Sequence, residues 1–438
     1  MTNPNNVVPS NNPQTQSGLI YSSDYHIRTL SILTSDGVVV DIRSAMVEIN
    51  LYEDIFAPCM SGSLLIGDAM DLMTNFKFHG NEYLLMTIDK PSLNNPINKV
   101  FRIYKISDRE FKSSALQNYT IHFCSEEMIL STQQYISKSY RGMTISDMIK
   151  DVLNNKLGTN SKRVGTIDTT QGVFNVIVPR LQPLEAIEWL SSRAYSANAS
   201  LFLFYENRDG YNFRAYESLI AQPVYQSYYK RPKTDTAAAN NINSLNYLKI
   251  PQDFDLIESG RYGAYSSTLI TFDMINHTMK NTNLQYGQFP LLNSSIPVND
   301  SINRFGNALI NNPDYFIKFY PVTTSDPTVN HSHPENWLTK KSSRLAQLHS
   351  FKMVLTIPGD VLMKVGNIIE VEIPQAVPQT QKGQINTLRT SKYLVTAVHH
   401  IFMNDVMSTV VELLSDSVSG ALNAAQNQSQ GLKTAKQS

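Results

Sequence analysis

Little in this 438-residue chain is extreme, and what is scarce narrows its class. Cysteine occurs twice, at Cys59 and Cys124, each in or beside an apolar run. That reads as two buried free thiols rather than a disulfide or metal pair, and fits folding in a reducing cytoplasm. Net charge is absent: 37 Lys and Arg balance 37 Asp and Glu, so the basic excess of a dedicated nucleic-acid binder is missing and sequence-specific DNA binding is not expected. Zero net charge also gives little protection against self-association, which suits a permanent assembly. No stretch approaches the ~20 apolar residues that cross a bilayer. The opening MTNPNNVVPSNNPQTQSG lacks the charged and apolar regions of a secretory signal, so neither a membrane span nor secretion is expected. GxSxG, HExxH, the P-loop and the Rossmann glycine fingerprint are missing as well, and no enzyme class is indicated.

What is present is strand. After residues 1–24, an Asn, Pro, Gln and Ser segment expected to be a disordered arm, the chain reads as a meander over residues 25–126. Ile27 to Leu33, Val38 to Ile42, and Val47, Ile49 and Leu51 alternating with Glu48 and Asn50 begin it. Gly62 to Ile66, Tyr83 to Ile88, Val100 to Ile106 and Tyr119 to Cys124 continue it, enough to close or nearly close a barrel, with a short helix from Asp68 to Phe76.

The period changes over residues 127–225, an expected α+β insertion. Thr144 and Asp147 resemble a capping box ahead of the apolar face Ile145, Met148, Ile149, Val152 and Leu153. The stretch Gly172 to Leu219 then holds a strand at Phe174 to Val178, and a helix with Pro183 in its first turn and Leu184, Ile187, Leu190 and Ala194 on one face. A hairpin of Leu201 to Tyr205 and Tyr211 to Tyr216 about Asp209-Gly210 completes it. Residues 226–345 read as a connector. It opens with the exposed passage KRPKTDTAAANNINSLN, carries the first strand of a second barrel at Tyr262 to Met274, and has helices expected near Asp300 to Ile310 and Trp337 to His349. Residues 346–420 supply the rest of that barrel through Phe351 to Ile357, Ile368 to Ile373, Tyr393 to Phe402 and Val406 to Leu414. Residues 421–438 are an expected disordered tail. The fold class is mainly β, with two barrels flanking a mixed helix and strand domain.

The order PLEAIEWLSSRA, SANASLFLFYE, GYNFRAYESL resembles the baseplate central hub proteins of contractile-tailed bacteriophages. Val47 to Leu72 (VEINLYEDIFAPCMSGSLLIGDAMDL) looks like the first tube-type sheet of such hubs. Ile357 to Pro374 with Ser391 to Asp416 looks like the second, so the resemblance covers about residues 25 to 420. It implies that both barrels are tail-tube-like, in a homotrimeric ring that joins the tail tube to a central spike and lines the DNA channel. Implied partners are the spike, the tail tube or a tube initiator, and beyond them tape measure and baseplate wedge proteins. The implied place is the virion tail baseplate, assembled in the host cytoplasm. Ser391 to Asp416 is expected in the ring between subunits, and the insertion around Trp189 on the outside. The alternatives are a tail-associated peptidoglycan hydrolase or carbohydrate-binding component, and the hub of a non-viral contractile injection system.

Candidate chemistry is thin. His331 and His333 form a His-x-His that can supply two zinc ligands, but their loop is polar and Asn-rich, which favours solvated side chains. His399 and His400 must face opposite sides of a strand, so one is buried or interfacial and they do not ligate together. Glu126, Glu127, Asp147 and Glu188 could contribute a hydrolytic carboxylate pair, yet no spacing selects one, and Glu185 and Glu188 sit on a solvated helix flank. Tyr225 to Arg231, YQSYYKR, interleaves aromatic and basic residues as single-strand binders do, but one cluster in a neutral chain is weak evidence and tyrosines are more commonly interface anchors. No catalytic, cofactor-binding or metal residue is assigned.

Overall fold

The computed structural model describes residues 25–76, 78–90, 93–113, 116–159, 163–229, 243–264, 266–284, 290–293, 296–297, 316–322, 334–373, 390–403 and 406–418. The two expected arms, the helix near Asp300 to Ile310, and His331 and His333 lie outside the described residues.

Seven strands make the first unit: β1 (His26–Leu33), β2 (Val39–Asp41), β3 (Met46–Asp54), β4 (Ser61–Asp68), β5 (Tyr83–Lys90), β6 (Leu93–Ser113) and β7 (Leu116–Cys124). They pair antiparallel in the order β2-β1-β5-β6-β7-β4-β3. Alternation decides which face is inside: Leu64 and Ile66, Leu84 and Met86, and Tyr119, Ile121 and Phe123 all point into one core, about which the sheet curls. The helix expected from Asp68 is shorter, α1 (Leu72–Phe76), because the Asp68 carboxylate serves as its preceding turn, accepting from the N–H of Met70 (2.9 Å) and of Leu72 (2.8 Å).

The insertion contains α2 (Glu126–Thr132), β8 (Ile136–Met143), α3 (Ile145–Asn155), β9 (Val164–Ile167), β10 (Phe174–Leu181), α4 (Pro183–Ser191), β11 (Phe202–Asn207), β12 (Gly210–Ala215) and α5 (Tyr216–Ile220). Thr144 Oγ1 caps α3 by accepting from the Asp147 N–H at 3.3 Å, and Gln182 and Glu185 form a capping box on α4. The apolar faces of both helices meet Phe202, Tyr211 and Phe213 of the hairpin in a core of their own. Each fully buried aliphatic side chain there contributes about 1.5–3 kcal/mol. Gly210 adopts φ +132° at the hairpin turn, where a Cβ would overlap the Arg163 carbonyl.

Downstream come β13 (Val224–Tyr229), β14 (Tyr247–Gln252), α6 (Leu256–Arg261), β15 (Ser267–Asp273), β16 (Thr278–Leu284), β17 (Ile296–Pro297), β18 (Ile317–Val322), α7 (Pro334–Leu348), β19 (Phe351–Pro358), β20 (Ile368–Glu372), β21 (Ser391–Met403), β22 (Val406–Ser415) and β23 (Ser417–Val418). Six of these strands, in the order β14-β19-β22-β21-β20-β13, surround the second β core. Tyr229 closes the circuit by bridging Ser244 just ahead of β14: its N–H donates to Asn243 O and its carbonyl accepts from Leu245 N–H, both at 3.0 Å.

Two expectations are corrected here. The strand read at Tyr262 to Met274 is β15, but it pairs with β16 and β18 in a separate three-stranded sheet against α7, not in the second barrel. The strands that complete that barrel are β13 and β14, which had been read as the end of the insertion and as connector. Most of their side chains are exposed or half-buried, so no apolar alternation marks them.

The two units are one sheet. The edge of β21 opposite β22 carries β20 over Ser391 to Leu394 and then, beyond a register shift after Val395, β3 over Ala397 to Met403. Within it, Gly62 of β4 sits between β3 and β7, where a Cβ would overlap the buried Phe123 ring and the Asn50 carbonyl oxygen. Because a backbone carbonyl cannot step aside as a side-chain tip can, Gly62→Ala should lower the unfolding free energy by about 1–3 kcal/mol. Urea denaturation would read this as a lower midpoint at unchanged slope; an unchanged midpoint would show that the three strands have room to spare.

Candidate assembly face and the junction beneath it

The seam between β3 and β21 runs from Ala397 opposite Asp54 to Met403 opposite Glu48. Its period of two sends Glu53 with Val398, Leu51 with His400, and Ile49 with Phe402 inward, and Tyr52 with His399 and Asn50 with Ile401 outward. The two histidines therefore face opposite sides. His400 is buried with Nδ1 3.2 Å from Thr409 Oγ1, and burial pushes its pKa down to about 3, so it is a neutral core imidazole. His399 spans the seam: Nε2 lies 2.7 Å from Asn50 Oδ1 and its ring 4.5 Å from that of Tyr52, and burial lowers its pKa as well.

From the seam the outer face continues as cross-strand rows. One row is Tyr247, Thr356, Val410, His399, Tyr52 and Ser61, crossing β14, β19, β22, β21, β3 and β4. The next is Ser408, Ile401, Asn50, Ser63 and His122, the last bonded to Ser107 at 2.8 Å. Charges of both signs are spread over it: Glu48, Asp54 and Glu412 against Lys105, Lys249 and Lys352, with Lys352 Nζ 2.7 Å from Glu412. Hydroxyls, amides and balanced charge make this a broad, nearly neutral polar wall.

Beneath the wall, the β11–β12 hairpin drives its tip between the two units. The buried Glu206 carboxylate accepts from Met60 N–H (3.0 Å), Ser125 Oγ and Lys99 Nζ (3.1 Å), all of the first unit. One residue past the strand, Arg208 donates its N–H to Glu53 Oε1 (2.9 Å) and its guanidinium to the carbonyls of Val361 (2.5 Å) and Pro96 (3.5 Å). Glu53 Oε2 accepts from Val365 N–H at 3.1 Å. First unit, second unit and insertion thus converge on one carboxylate. Burial drives the Glu53 pKa up to about 7, outweighing the two N–H donors and the nearby Lys99 that favour its charged form.

The candidate residues are placed apart. Glu126 accepts from Tyr83 Oη (2.7 Å), and Glu127 is buried against Arg163 Nη2 (2.9 Å) and Tyr211 Oη (3.0 Å). Asp147 belongs to the α3 cap, and Glu185 and Glu188 are exposed on α4. Each carboxylate is engaged in its own local contact or solvated. Tyr225 donates to Asp360 Oδ2 at 2.8 Å and Tyr228 is buried in the second core, so β13 uses its tyrosines in the barrel; Lys230 and Arg231 lie outside the described residues. Trp189 is half-buried under the Arg193 guanidinium, 3.7 Å from the ring centroid. Among the described residues no group of three His, Cys, Asp or Glu side chains is placed to hold a metal ion. The strands Ser391 to Asp416, expected between subunits, have both edges filled within the chain, since β22 lies between β19 and β21, and β21 faces β22 on one side and β20 and β3 on the other. Sequence reasoning missed Glu53, Glu206 and Arg208. The signal for Glu53 was its parity: it is the next inward position after Ile49 and Leu51.

No family model and no curated protein sequence matches the chain. Solved structures do. A tail protein from Neisseria meningitidis MC58 superposes with a TM-score of 0.52 at 12% identity, over 90% of this chain and 97% of that one. The 43 kDa tail protein of prophage MuSo2 from Shewanella oneidensis superposes with a TM-score of 0.50 at 7% identity, over 88% and 98%. The likeness is one of fold, and it extends over nearly the whole of both chains: this is a mainly-β tail-protein fold.

The junction makes a pH-dependent contribution to stability. The folded state holds a proton on Glu53 that the unfolded chain releases at its ordinary pKa of 4.5, so the contribution of this group is fully present below pH 4.5 and is lost as pH rises through about 7. The drop attributable to this group is about 3 kcal/mol. Denaturation midpoints at pH 5 and pH 7.5 should differ in that sense in the parent chain and much less in Glu53→Gln; an equal slope in both would place the titration elsewhere.

Proposed function

We propose that the chain is a structural subunit of a contractile-tail baseplate hub. It forms a homotrimeric ring that joins the tail tube to the central spike and lines the DNA channel. The observation that carries this reading is the fusion of two β units into one continuous sheet through β3 and β21, so that a single chain offers two tube-type segments side by side. Three such chains present six segments, which match a six-fold tube on one side and a three-fold spike on the other. Closed rings reuse one interface and leave no open series of contacts.

The wall formed by the rows through His399 and Tyr52 suits a conduit. DNA binding is dominated by cationic side chains that displace counterions from phosphates, and this face sets acids against its lysines. Passing DNA then meets little net attraction. The work proposed is mechanical; the carboxylates considered for hydrolysis do not come together as a pair, each having a separate contact or facing solvent. The partners are the spike and the tube or its initiator, with the tape measure and wedge proteins further out, and the place of action is the virion tail after assembly in the host cytoplasm.

Native mass measurement tests this directly. At micromolar concentration the expected species contains three copies of the 49.3 kDa chain, and adding the spike protein should convert it to a trimer-bearing complex. A strict monomer that stays monomeric when the spike is added would overturn the hub reading.

A further inference from the structure

Between α6 and α7 the chain encloses a cavity of about 560 Å³, within the size range of ligand sites. Each helix, with the residues flanking it, turns one stripe toward this space: Asp255, Glu258, Ser259 and Tyr262 on one side, and Ser342, Leu345, Ala346 and His349 on the other. Both stripes have the three- and four-residue spacing of a single helix face. The face of α7 that carries Trp337, Arg344 and Leu348 is buried in the fold, so the stripe along the cavity is a second face of that helix. Gln252 of β14 and its ladder partner Lys352 of β19 also line the cavity. Lys352 and Glu412 belong to the polar wall, which places the cavity at the margin of that wall.

The two helices bring unlike chemistry. From α7 come the apolar side chains of Leu345 and Ala346, whereas α6 brings two carboxylates and the exposed ring of Tyr262. Asp255 Oδ1 accepts from the Glu258 N–H at 2.8 Å, and among the described residues neither carboxylate has a cationic side chain within ion-pair distance. Lys352 does not neutralise them, because its Nζ is held by Glu412 at 2.7 Å. His349 adds a ring stacked on that of Phe56, with centroids 5.2 Å apart, and partial burial lowers its pKa and favours the neutral imidazole. The cavity therefore presents two uncompensated negative charges and an aromatic ring on one side, and an apolar surface on the other.

The geometry points to a lysine or arginine side chain of a partner protein as the occupant. Its aliphatic stem lies along Leu345 and Ala346, and its cationic head sits between Asp255 and Glu258 beside the Tyr262 ring, where charge and the ring face both attract it. Phosphates and nucleic acid are repelled by the same carboxylates. A free polyamine fits less well, since it is charged at both ends and only one side of the cavity is acidic. This attachment point goes beyond the hub reading and does not rest on it.

The test titrates the capped tripeptide Ac-Leu-Lys-Leu-NH2 into the full chain by calorimetry. Two analogues replace its lysine with norleucine, which keeps the stem without the charge, or with glutamate, which reverses the charge. The expected result is saturable binding of the lysine peptide only, weakened about threefold in Glu258→Gln and about tenfold when Asp255→Asn is added. Asparagine at 255 keeps an oxygen for the Glu258 N–H, and Glu258 is exposed, so both variants should fold, as circular dichroism would verify. Glu185→Gln, which removes an exposed carboxylate on α4, should change the affinity less than twofold. Absence of saturable binding to the parent chain, equal binding of the norleucine peptide, or equal loss in Glu185→Gln would each overturn the assignment. Cadaverine binding as tightly as the peptide would identify a free amine as the ligand instead. Native mass is not affected by any of these outcomes, so failure here leaves the hub reading to its own test.

Discussion

The structure depends on one crowded strand edge. β21 is long enough to serve two neighbours in succession, β20 within its own barrel and β3 of the first unit, and the change of partner occurs at the register shift after Val395. A sheet that changes partners leaves backbone donors without ladder acceptors at the transition, and buried donors must find them elsewhere. At the transition Val395 exchanges bonds with the backbone of Gly366 and Asn367 (both 2.9 Å) and the Thr396 carbonyl accepts from Ile55 N–H (2.8 Å), with Glu53 and the tip of the β11–β12 hairpin alongside. The Glu53 carboxylate takes the N–H groups of Val365 and Arg208, while Arg208 satisfies carbonyls on both sides at Pro96 and Val361. Remove the hairpin, and the two units lose the groups that complete their junction.

A second buried network ties the insertion to the far side of the same barrel. Arg344 of α7, fully buried, pairs with Asp416 (3.0 Å) and Glu217 (3.3 Å) and lies over the Tyr216 ring, whose hydroxyl also reaches Asp416 (3.1 Å). Buried ion pairs of this sort recover little net stability once desolvation is counted, but removing one partner is severe. In both networks charge is used to set the relative position of units whose apolar cores are separate. That suits the proposed role of holding geometry between two other assemblies.

Much of this is legible in the sequence. The alternations at Phe123 and Leu64, the capped helix at Ile145, Pro183 at the start of α4 and the hairpin about Gly210 all fall where periodicity and turn chemistry place them. β13 and β14 were not legible, because their outward side chains break the apolar period and Pro251 interrupts the second. β15 was visible as a strand and assigned to the wrong sheet, since a strand's own residues do not name its neighbour. Of the site, the opposite facing of His399 and His400 followed from parity alone, whereas the outer rows required the register of seven strands.

The amino-acid sequence by itself determined most of the strands and helices, β13 and β14 excepted, and which face of each is apolar. These are local properties, written in side-chain spacing of two or of three to four residues. The tertiary structure alone decided that β21 takes β3 as a neighbour, that a hairpin tip fills the gap, and that Glu53 meets a backbone N–H 312 residues away at Val365. Contacts of that range leave no period in the chain. They arise from the competition of whole sheets for edges and of buried polar groups for partners, which only the folded molecule resolves.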